Sequence, residues 1–487
     1  MSTVVVLGAG VAGHTAALTL RRKLGRGHRV IVVSPNSTWN WIPSNIWVGV
    51  GRMQPQAVVF PLEPVYRRKR IDFRQAKAVA IRPDGDEESP QGAVDIEYTG
   101  QGRVGETERI RFDYLVNATG PMLNFGATPG LGPDAGNTVS VCTPAHAVEA
   151  SAQLSEAIGR CRDGEHLRFV VGVGHGQCTC EGAAFEYAFN VEQELERAGV
   201  RDRADVVYLS NEPALGDFGV GGMSFETPDG PVSGEQFMAS LFHERGIRAV
   251  ARAAVTEVDA SAIHYVHEDG APQELSYDFA MLLPPFRGVP LKAYDRAGED
   301  VTDRFFAPSG FMRVDADYSP KAPEEWSGDD WPSTYQVPGY PNMFAVGIAF
   351  APPHAISTPM STPDGVAIAP APPRTGMPSG AMGKAAALSI AGMVRHGAGT
   401  APHRASMAEL PAACIASTGT GFARGTAVAM TMTPIVPDFA KRPDSHGRDA
   451  TRTVGEIGLA AHWLKRMLHT AFLYKAKAYP FWYLIPE

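Results

Sequence analysis

The stretch Val4-Val5-Val6-Leu7-Gly8-Ala9-Gly10-Val11-Ala12-Gly13 decides the fold of the first part of the chain. Its apolar start predicts a buried parallel strand, and its glycines follow the Gly-x-Gly-x-x-Gly pattern. Glycines at this spacing permit a tight turn, a close approach of the backbone to a pyrophosphate and close packing of helix on strand. Helical spacing over residues 15–24 and a second apolar run over 29–33 complete a βαβ unit. The stretch therefore predicts a dinucleotide-binding domain, with the phosphates at the start of the helix.

The position that usually contacts the ribose departs from this pattern. An acidic residue about 20 positions further on normally bonds the ribose hydroxyls. This chain carries Ser34, Pro35 and Asn36 there, and the amide of Asn36 can donate or accept the hydrogen bond instead. The predicted cofactor contacts of this unit are Gly8, Gly10, Val11, Ala12, Gly13, Ser34 and Asn36.

A second, similar unit begins near Leu167. An apolar strand is followed by the loop Gly172-Val173-Gly174-His175-Gly176, by a helix from about residue 180 and by a strand over 205–210. The loop lacks the third glycine at the usual place, and Cys178 and Cys180 stand at the start of the helix. Two interpretations remain open: inert thiols at a helix N-terminus, or a nucleotide site that has become a sulfur site. The second has a physical basis, because a helix N-terminus lowers the pKa of a thiol and favours the reactive thiolate.

The composition excludes several classes of function. A chain of 487 residues calls for two or three domains, and a formal net charge of −8 gives no reason to expect a nucleic-acid partner. The cysteines are few and odd in number, and their spacing fits neither a disulfide scaffold nor a metal site. They are Cys142, Cys161, Cys178, Cys180 and Cys414. We therefore expect no metal, and either buried thiols or redox chemistry.

The chain shows no sign of export or of a membrane span. No charged and then apolar leader precedes the first strand, so no secretory signal is expected. No apolar run reaches the roughly 18 to 20 residues that span a bilayer. Any contact with a membrane is therefore expected to be peripheral.

The C-terminal segment has the spacing of an amphipathic helix. One face carries Ala460, Trp463, Leu464, Met467, Leu468 and Ala471, and the opposite face carries His462, Lys465, Arg466, His469 and Thr470. The aromatic residues Phe481, Trp482 and Tyr483 follow. A basic amphipathic helix with aromatic anchors is typical of a membrane interface. The same pattern also suits a helix docked on the protein body or on a second protomer.

A long irregular segment, rich in Pro, Ala, Ser and Thr, covers residues 352–380. Long ordered loops are often functional. Composition alone fits a plain mobile loop equally well.

Motifs spread over nearly the whole chain carry a resemblance to a known family. They are Ile42-Pro43-Ser44-Asn45-Ile46-Trp47-Val48-Gly49-Val50-Gly51, Cys142-Thr143-Pro144-Ala145-His146, Cys180-Glu181-Gly182-Ala183-Ala184-Phe185-Glu186-Tyr187, Pro285-Phe286-Arg287-Gly288-Val289-Pro290, Gly347-Ile348-Ala349, Arg374-Thr375-Gly376 and Cys414. Together they resemble the sulfide:quinone oxidoreductases, which are membrane-bound flavoproteins of the disulfide-reductase class. The resemblance implies an α/β fold with two Rossmann-like dinucleotide-binding domains and a C-terminal amphipathic, membrane-associating region.

The resemblance also implies domain boundaries and a cofactor. Residues 1–120 and 300–390 would form the FAD-binding domain, 121–299 the second Rossmann-like domain and 391–487 the C-terminal region. Further predicted FAD contacts are Pro43, Ser44, Asn45, Ala118, Thr119, Gly120, Gly347, Ile348, Arg374, Thr375 and Gly376.

For the chemistry, the resemblance implies that Cys180 and Cys414 meet on one face of the flavin, bridged by sulfur. Cys142 would help to open the bridge or to release the sulfur product. Cys178 is an extra thiol, and the ungapped match over residues 184–187 favours Cys180 as the partner of Cys414.

Other site residues follow from the same resemblance. Glu186 and His146 are candidate proton handlers, with a structural polar role as the alternative for each, and Lys465 would lie near flavin and quinone. Predicted quinone contacts are Ile415, Leu468, Phe481 and Trp482. One departure is Asp217, where relatives often carry a histidine, so a proton role there is in doubt.

The implied function is oxidation of hydrogen sulfide to sulfane sulfur or polysulfide by a peripheral membrane flavoenzyme that reduces membrane quinone and forms a homo-oligomer. Three alternatives stay open. They are a flavocytochrome c-type sulfide dehydrogenase flavoprotein, a type II NADH:quinone reductase and a non-catalytic flavoprotein that senses sulfide. The NADH alternative needs a better second glycine loop and has no use for Cys180 and Cys414.

Overall fold

The computed structural model describes residues 1–134, 136–179, 181–227, 230–374, 376–421 and 425–487. The helices of this part of the chain are α1 (Val11–Leu24), α2 (Asn45–Gly49), α3 (Leu62–Lys69), α4 (Pro144–Arg162), α5 (Glu181–Ala198), α6 (Gly234–Glu244), α7 (Thr302–Phe305), α8 (Gly376–His396) and α9 (Leu459–Ala476). Of the residues left out, Cys180 and Thr375 are among the predicted site residues.

The strands up to residue 209 are β1 (Thr3–Leu7), β2 (Arg29–Ser34), β3 (Thr38–Asn40), β4 (Val59–Pro61), β5 (Asp72–Arg82), β6 (Ala93–Tyr98), β7 (Thr107–Arg111), β8 (Tyr114–Asn117), β9 (Pro121–Leu123), β10 (Leu167–Val173) and β11 (Ala204–Leu209). Those up to residue 293 are β12 (Ser224–Thr227), β13 (Gly230–Ser233), β14 (Ile247–Val250), β15 (Ala254–Val258), β16 (Ala262–Val266), β17 (Pro272–Ser276), β18 (Phe279–Leu283), β19 (Phe286–Gly288) and β20 (Lys292–Ala293). The remaining strands are β21 (Gln336–Val337), β22 (Tyr340–Ala345), β23 (Met360–Ser361), β24 (Ala367–Ile368), β25 (Ala412–Gly419), β26 (Thr426–Met432) and β27 (Val454–Gly458).

The first large sheet is built on the N-terminal βαβ unit. Its strands run in the order β21-β22-β8-β1-β2-β5-β6-β7, and β20 pairs with β5 off this path. The inner strands β22, β8, β1, β2 and β5 are parallel. Val4 and its neighbours in β1 are fully buried, as expected of a strand covered on both faces. The carboxyl ends of the parallel strands meet at one edge, where the first glycine loop lies.

Helix α8 packs closely against α1 because glycine lies at the contact. A Cβ atom on Gly383 would lie 2.2 Å from the carbonyl oxygen of Ala12. The backbones of the two helices therefore touch, which brings the start of α8 near the first glycine loop.

A second parallel sheet follows in the order β14-β11-β10-β18. Helix α5 connects β10 to β11 and buries the aromatic residues Phe185, Tyr187 and Phe189. The antiparallel sheet β15-β16-β17 is formed within the same part of the chain. These elements form the second βαβ arrangement that the sequence pattern predicts.

The C-terminal segment forms the antiparallel sheet β25-β26-β27 and then helix α9. Helix α5 packs on β25, where the side chain of Asn190 donates to the carbonyl oxygen of Ser417 at 2.8 Å. The redox-type cysteine Cys414 lies on this strand, and the strand therefore stands next to the helix that follows Cys180.

Helix α9 buries two of its polar residues and leaves several large apolar residues exposed. His462 and Lys465 are 1% and 6% exposed, whereas Trp463, Leu464 and Met467 are 39%, 38% and 59% exposed. This orientation is the reverse of a helix that docks its apolar face on the protein body. In the described part of the chain, no helix is long and apolar enough to cross a bilayer.

The Pro-rich segment is tied to the second glycine loop. The amide of Ala369 donates to the carbonyl oxygen of Gly176 at 2.9 Å, and that of Ala371 donates to Cys178 at 2.8 Å. Ile368 is fully buried. The segment is thus an ordered strap over residues 174–178.

The contact between α1 and α8 gives a test of the fold. We expect Gly383→Ala to lower the free energy of unfolding by about 1–3 kcal/mol, because the new methyl group meets backbone that has nowhere to move. Thermal or urea unfolding measures the change. Gly392→Ala in the same helix is the matched control, since its Cβ meets only a side-chain methyl of Thr400 at 3.2 Å. Equal stability changes in the two variants would contradict the assignment.

Candidate redox site

The first glycine loop forms a cradle for a phosphate group. Gly8 has a φ of +94°, and a Cβ atom on it would lie 2.1 Å from the carbonyl oxygen of Ala118. A Cβ on Gly13 would lie 2.1 Å from the carbonyl oxygen of Gly8, whereas one on Gly10 would meet nothing within 4 Å. Helix α1 starts at Val11 without a side-chain cap or an acidic first turn. Its free amides and the open space at Gly10 fit the pyrophosphate of a dinucleotide.

The other predicted cofactor residues gather around this cradle. Ser34 is buried at the end of β2 and Asn36 is exposed just beyond it. The turn at Gly347 has a φ of +66°, and its Cβ position lies 2.9 Å from the methyl group of Ala12. The guanidinium of Arg374 donates to the carbonyl oxygen of Ile348 at 3.0 Å and so joins this turn to the start of α8. The predicted contact Thr375 lies outside the described residues.

The segment around Pro43 connects the C-terminal helix to the loop that carries Cys142. Ser44 Oγ and His469 Nδ1 share a hydrogen bond of 2.8 Å. The amide of Asn45, which is fully buried, donates to the carbonyl oxygen of Val141 at 3.2 Å, next to Cys142. This segment therefore touches both α9 and the loop that carries Cys142.

Cys414 lies beside the first turn of α5. Its Sγ atom is 3.5 Å from the point that a Cβ on Gly182 would occupy. Gly182 follows Cys180 by two residues, but Cys180 itself lies outside the described residues. The pKa of the Cys414 thiol is raised to about 11, mainly by burial and then by the charge of Glu186, while Lys465 opposes the rise.

Glu186 and Lys465 form a buried ion pair next to this thiol. Lys465 Nζ contacts Glu186 Oε1 and donates to the carbonyl oxygen of Ile415 at 2.8 Å. Both side chains are 6% exposed. Burial raises the pKa of the Glu186 carboxyl, and the charge of Lys465 opposes that rise. The same ammonium lies 5.5 Å from the ring centre of Trp47.

Cys142 and His146 are placed by the start of α4. Thr143 caps the helix by accepting from the His146 amide at 3.1 Å, and the Cys142 amide donates to Ser140 Oγ at 3.1 Å. Burial raises the pKa of the Cys142 thiol to about 11. The His146 ring packs edge-on against Phe125, at 5.8 Å between ring centres. Within the described residues, no hydrogen bond links these two side chains to Cys414.

The predicted quinone contacts fall into different environments. Ile415 touches Lys465, and Leu468 is half-buried one turn further along α9. Trp482 is buried and lines a cavity of about 20 Å³ together with Val11, Trp39, Trp41, Phe472 and Gly376. Phe481 is 67% exposed and is not among the residues that line this cavity. The two neighbouring residues therefore lie in different environments, Trp482 buried and Phe481 exposed.

The second glycine loop is more crowded than the first. A Cβ on Gly176 would lie 2.2 Å from the carbonyl oxygen of Ala367, and one on Gly174 would lie 2.4 Å from the Leu131 side chain. Leu131 and the strap therefore occupy the positions next to Gly174 and Gly176, whereas the position next to Gly10 in the first loop is open. A pyrophosphate cannot approach this loop as it can approach the first.

Sequence reasoning did not select several residues that the structure places at the site. Trp47 belongs to the motif over residues 42–51, yet only the structure shows its ring beside Lys465, His462 and His469. Glu181 is fully buried at the start of α5. Its position directly after Cys180, at the start of a predicted helix, was the available signal.

A family profile matches the first part of the chain. Residues 2–219 match the profile of the family described as pyridine nucleotide-disulphide oxidoreductase. The α/β fold with a Rossmann-like first sheet is the fold of that class.

Two comparisons extend over nearly the whole chain. The sulfide-quinone reductase of Aquifex aeolicus (strain VF5) is 28% identical over 476 residues, which cover 97% of this chain and 91% of that protein. The X-ray structure of the sulfide:quinone oxidoreductase from the same hyperthermophilic bacterium matches with a TM-score of 0.76 at 26% identity, over 98% of this chain and 92% of that one. The resemblance predicted from the motifs is thereby confirmed.

A third comparison concerns the fold alone. NDH2 from Plasmodium falciparum in complex with RYL-552 matches with a TM-score of 0.62 at 11% identity, over 99% of this chain and 97% of that chain. The general architecture is thus shared beyond the sulfide enzymes.

The charges around Cys414 give a test of the site. We expect Glu186→Gln to lower the pKa of the Cys414 thiol, because a repelling carboxylate is lost while the ammonium of Lys465 remains. Alkylation of the reduced protein at several pH values, followed by peptide mapping of Cys414, measures the shift. Glu192→Gln is the control, because Glu192 is a buried carboxylate of the same helix that pairs with Arg245 instead. Unchanged alkylation of Cys414 in the Glu186 variant would contradict the assignment.

Proposed function

We propose that this protein is a sulfide:quinone oxidoreductase that oxidises hydrogen sulfide and passes the electrons through FAD to a quinone. The observation that carries the proposal is the Cys414 sulfur at the first turn of α5, beside the Glu186–Lys465 pair. The similarity to the Aquifex aeolicus enzyme over 97% of the chain supports the same activity.

FAD is the cofactor, and the first glycine loop supplies its phosphate cradle. Gly10 leaves space for the pyrophosphate, Ser34 and Asn36 lie where the ribose belongs, and Gly347 lies against α1 at the same edge. When bound, FAD supplies the two-electron redox chemistry that amino-acid side chains lack. The protein contributes the position of the sulfur and of the acceptor.

Cys180 and Cys414 are the proposed sulfur-handling pair. Hydrosulfide attacks the bridge between them, the S–S bond breaks, one cysteine carries a persulfide and the other leaves as a thiolate. Lys465 favours that thiolate, because its positive charge lowers the pKa of Cys414 against the effect of burial. Cys142 and His146 lie on a separate element and are proposed to serve release of the sulfur product.

The Glu186–Lys465 pair is proposed to serve the acceptor side. A buried ammonium stabilises negative charge that develops on a quinone oxygen. Burial raises the pKa of the Glu186 carboxyl, and this favours its role as a proton carrier beside the acceptor. Ile415 and Leu468 would supply the apolar wall. Trp482 would line the inner part of the path and Phe481 its exposed mouth.

The outward face of α9 is proposed to lie on the membrane surface, which makes the protein peripheral. Trp463, Leu464 and Met467 form an exposed apolar stripe, and Ile457 and Phe481 are 45% and 67% exposed nearby in sequence. Large adjoining apolar side chains are unfavourable in water and mark a lipid or protein contact. A membrane is the place where the quinone is dissolved, so this face would bring the site to its substrate.

The filled second glycine loop argues against the NADH alternative. A pyridine nucleotide needs space at Gly174 and Gly176, and Leu131 and Ala367 occupy it. The apolar stripe on α9 likewise favours a membrane acceptor over a haem subunit. The proposed homo-oligomer would leave this stripe on one side of the assembly.

Anaerobic mixing with sulfide tests the activity directly. We expect sulfide to bleach the oxidised flavin and NADH to leave it unchanged, because the strap fills the nucleotide loop. Cys414→Ser should reduce the sulfide reaction to background, since one partner of the bridge is gone. Cys161→Ala removes a buried thiol on α4 that is not part of the site and serves as the control. Full bleaching in the Cys414 variant would remove this thiol from the mechanism.

Vesicle flotation tests the membrane face. Replacing Leu464 and Met467 by lysine should weaken binding to vesicles at least tenfold, because burial of each apolar side chain contributes about 1.5–3 kcal/mol. The variant should still reduce a water-soluble quinone. The control places two lysines at the exposed positions Ala152 and Gln153 of α4. Equal vesicle binding by both double variants would assign the stripe to another contact.

A further inference from the structure

A cluster of buried carboxyl groups lies behind the cysteine loop. Glu181, Glu212 and Asp217 are 0%, 0% and 6% exposed. Both carboxylate oxygens of Glu181 are buried without a hydrogen-bond partner among the described residues. A fully buried charged group without a partner is rare, and it points to a bound species that completes the group.

The cluster is connected to the sulfur site through the start of α5. Glu181 stands between Cys180 and Gly182, and Gly182 faces Cys414. The hydroxyl of Tyr208 lies 3.3 Å from the backbone carbonyl oxygen of Glu181 and 2.9 Å from Glu212 Oε2. The unpartnered carboxyl thus belongs to the residue directly after the proposed sulfur-handling Cys180.

The neighbours of the cluster define its charge. Ser210 Oγ donates to Glu212 at 2.7 Å, and the Phe218 amide donates to its other oxygen at 2.7 Å. The guanidinium of Arg448 is buried but donates to backbone carbonyl oxygens, and it acts by its charge on Asp217. Among the residues that the structure describes, Glu181 therefore lies near other acids and a tyrosine and pairs with no cation.

A proton is the species that fits this environment. Burial, followed by repulsion from Glu212 and Asp217, raises the pKa of Glu181 well above its usual value. Burial raises the pKa of Glu212 to about 7. Within the described ranges, no group of three acidic, histidine or cysteine side chains is arranged to hold a metal ion. The cluster thus favours the neutral acid form of both carboxyl groups, and Glu212 changes between its two forms near neutral pH.

We propose that Glu181 and Glu212 together form a proton store for the sulfur site, which takes the proton of H2S as it becomes the nucleophile HS⁻. The inference rests on the proposed sulfide chemistry. The step is H2S plus carboxylate giving HS⁻ plus carboxylic acid, so the pair gains one proton and no electrons move. The reverse step returns the proton when the sulfur product leaves.

Infrared spectroscopy of the oxidised holoprotein without sulfide tests the store itself. The wild-type protein should show a protonated carboxyl band that persists at neutral pH and a second that disappears near pH 7. Glu181→Gln should remove the first band and Glu212→Gln the second. Glu192→Gln, on the same helix and paired with Arg245, should keep both. Retention of both bands in both variants would overturn the proposal.

The pH dependence of flavin bleaching by sulfide tests the use of the store. Each Glu→Gln variant at positions 181 and 212 should react about tenfold or more slowly near neutral pH. The difference should close at alkaline pH, where sulfide is already ionised. A purely structural role would instead slow the reaction equally at every pH and would overturn the proposal. Absence of bleaching in the wild-type protein would overturn the proposed function, while the infrared bands would still report on the store.

Discussion

The buried ion pair between Glu186 and Lys465 is the contact on which the candidate site depends. It joins α5 to α9, and Lys465 also holds the carbonyl oxygen of Ile415 on β25. Removing one member of a buried pair leaves the other as an uncompensated charge, at a cost of about 3–5 kcal/mol. Three elements from distant parts of the chain are therefore kept in one arrangement. Cys414, the residue before Ile415, is fixed beside the first turn of α5 as a consequence.

The same pair determines how α9 faces its surroundings. Once Lys465 points inward, the 3.6-residue repeat turns Trp463, Leu464 and Met467 outward. A helix in water normally adopts the opposite arrangement, with its apolar stripe on the core. Because Lys465 is buried, the apolar side chains on the opposite side of α9 are exposed. Such a surface is stable only when a lipid phase or another protein covers it.

The sequence predicted the parts of this structure that depend on local pattern. The loop from Gly8 to Gly13 forms as its spacing indicates. The predicted faces of α9 are only partly reproduced, because Lys465 is buried whereas Arg466 and Thr470 of the same predicted face are exposed. Periodicity does not reveal which face points inward, because that depends on a partner such as Glu186 that lies 279 residues away. The unpartnered carboxyl of Glu181 and the strap over Gly176 depend in the same way on contacts that no local pattern contains. Where Cys180 lies relative to Cys414 stays a prediction.

Strand β25 gives a physical reason for two half-reactions to share one site. Successive residues of a strand point to opposite faces, so Cys414 and Ile415 address different sides of the same backbone. Cys414 faces the first turn of α5 and the proposed sulfur chemistry, whereas Ile415 belongs to the predicted acceptor side, next to Lys465 on α9. The strap over the second glycine loop fills the space at Gly176 that a nucleotide would need. This crowding favours the proposed route of electrons from the cysteines toward the acceptor side next to Lys465.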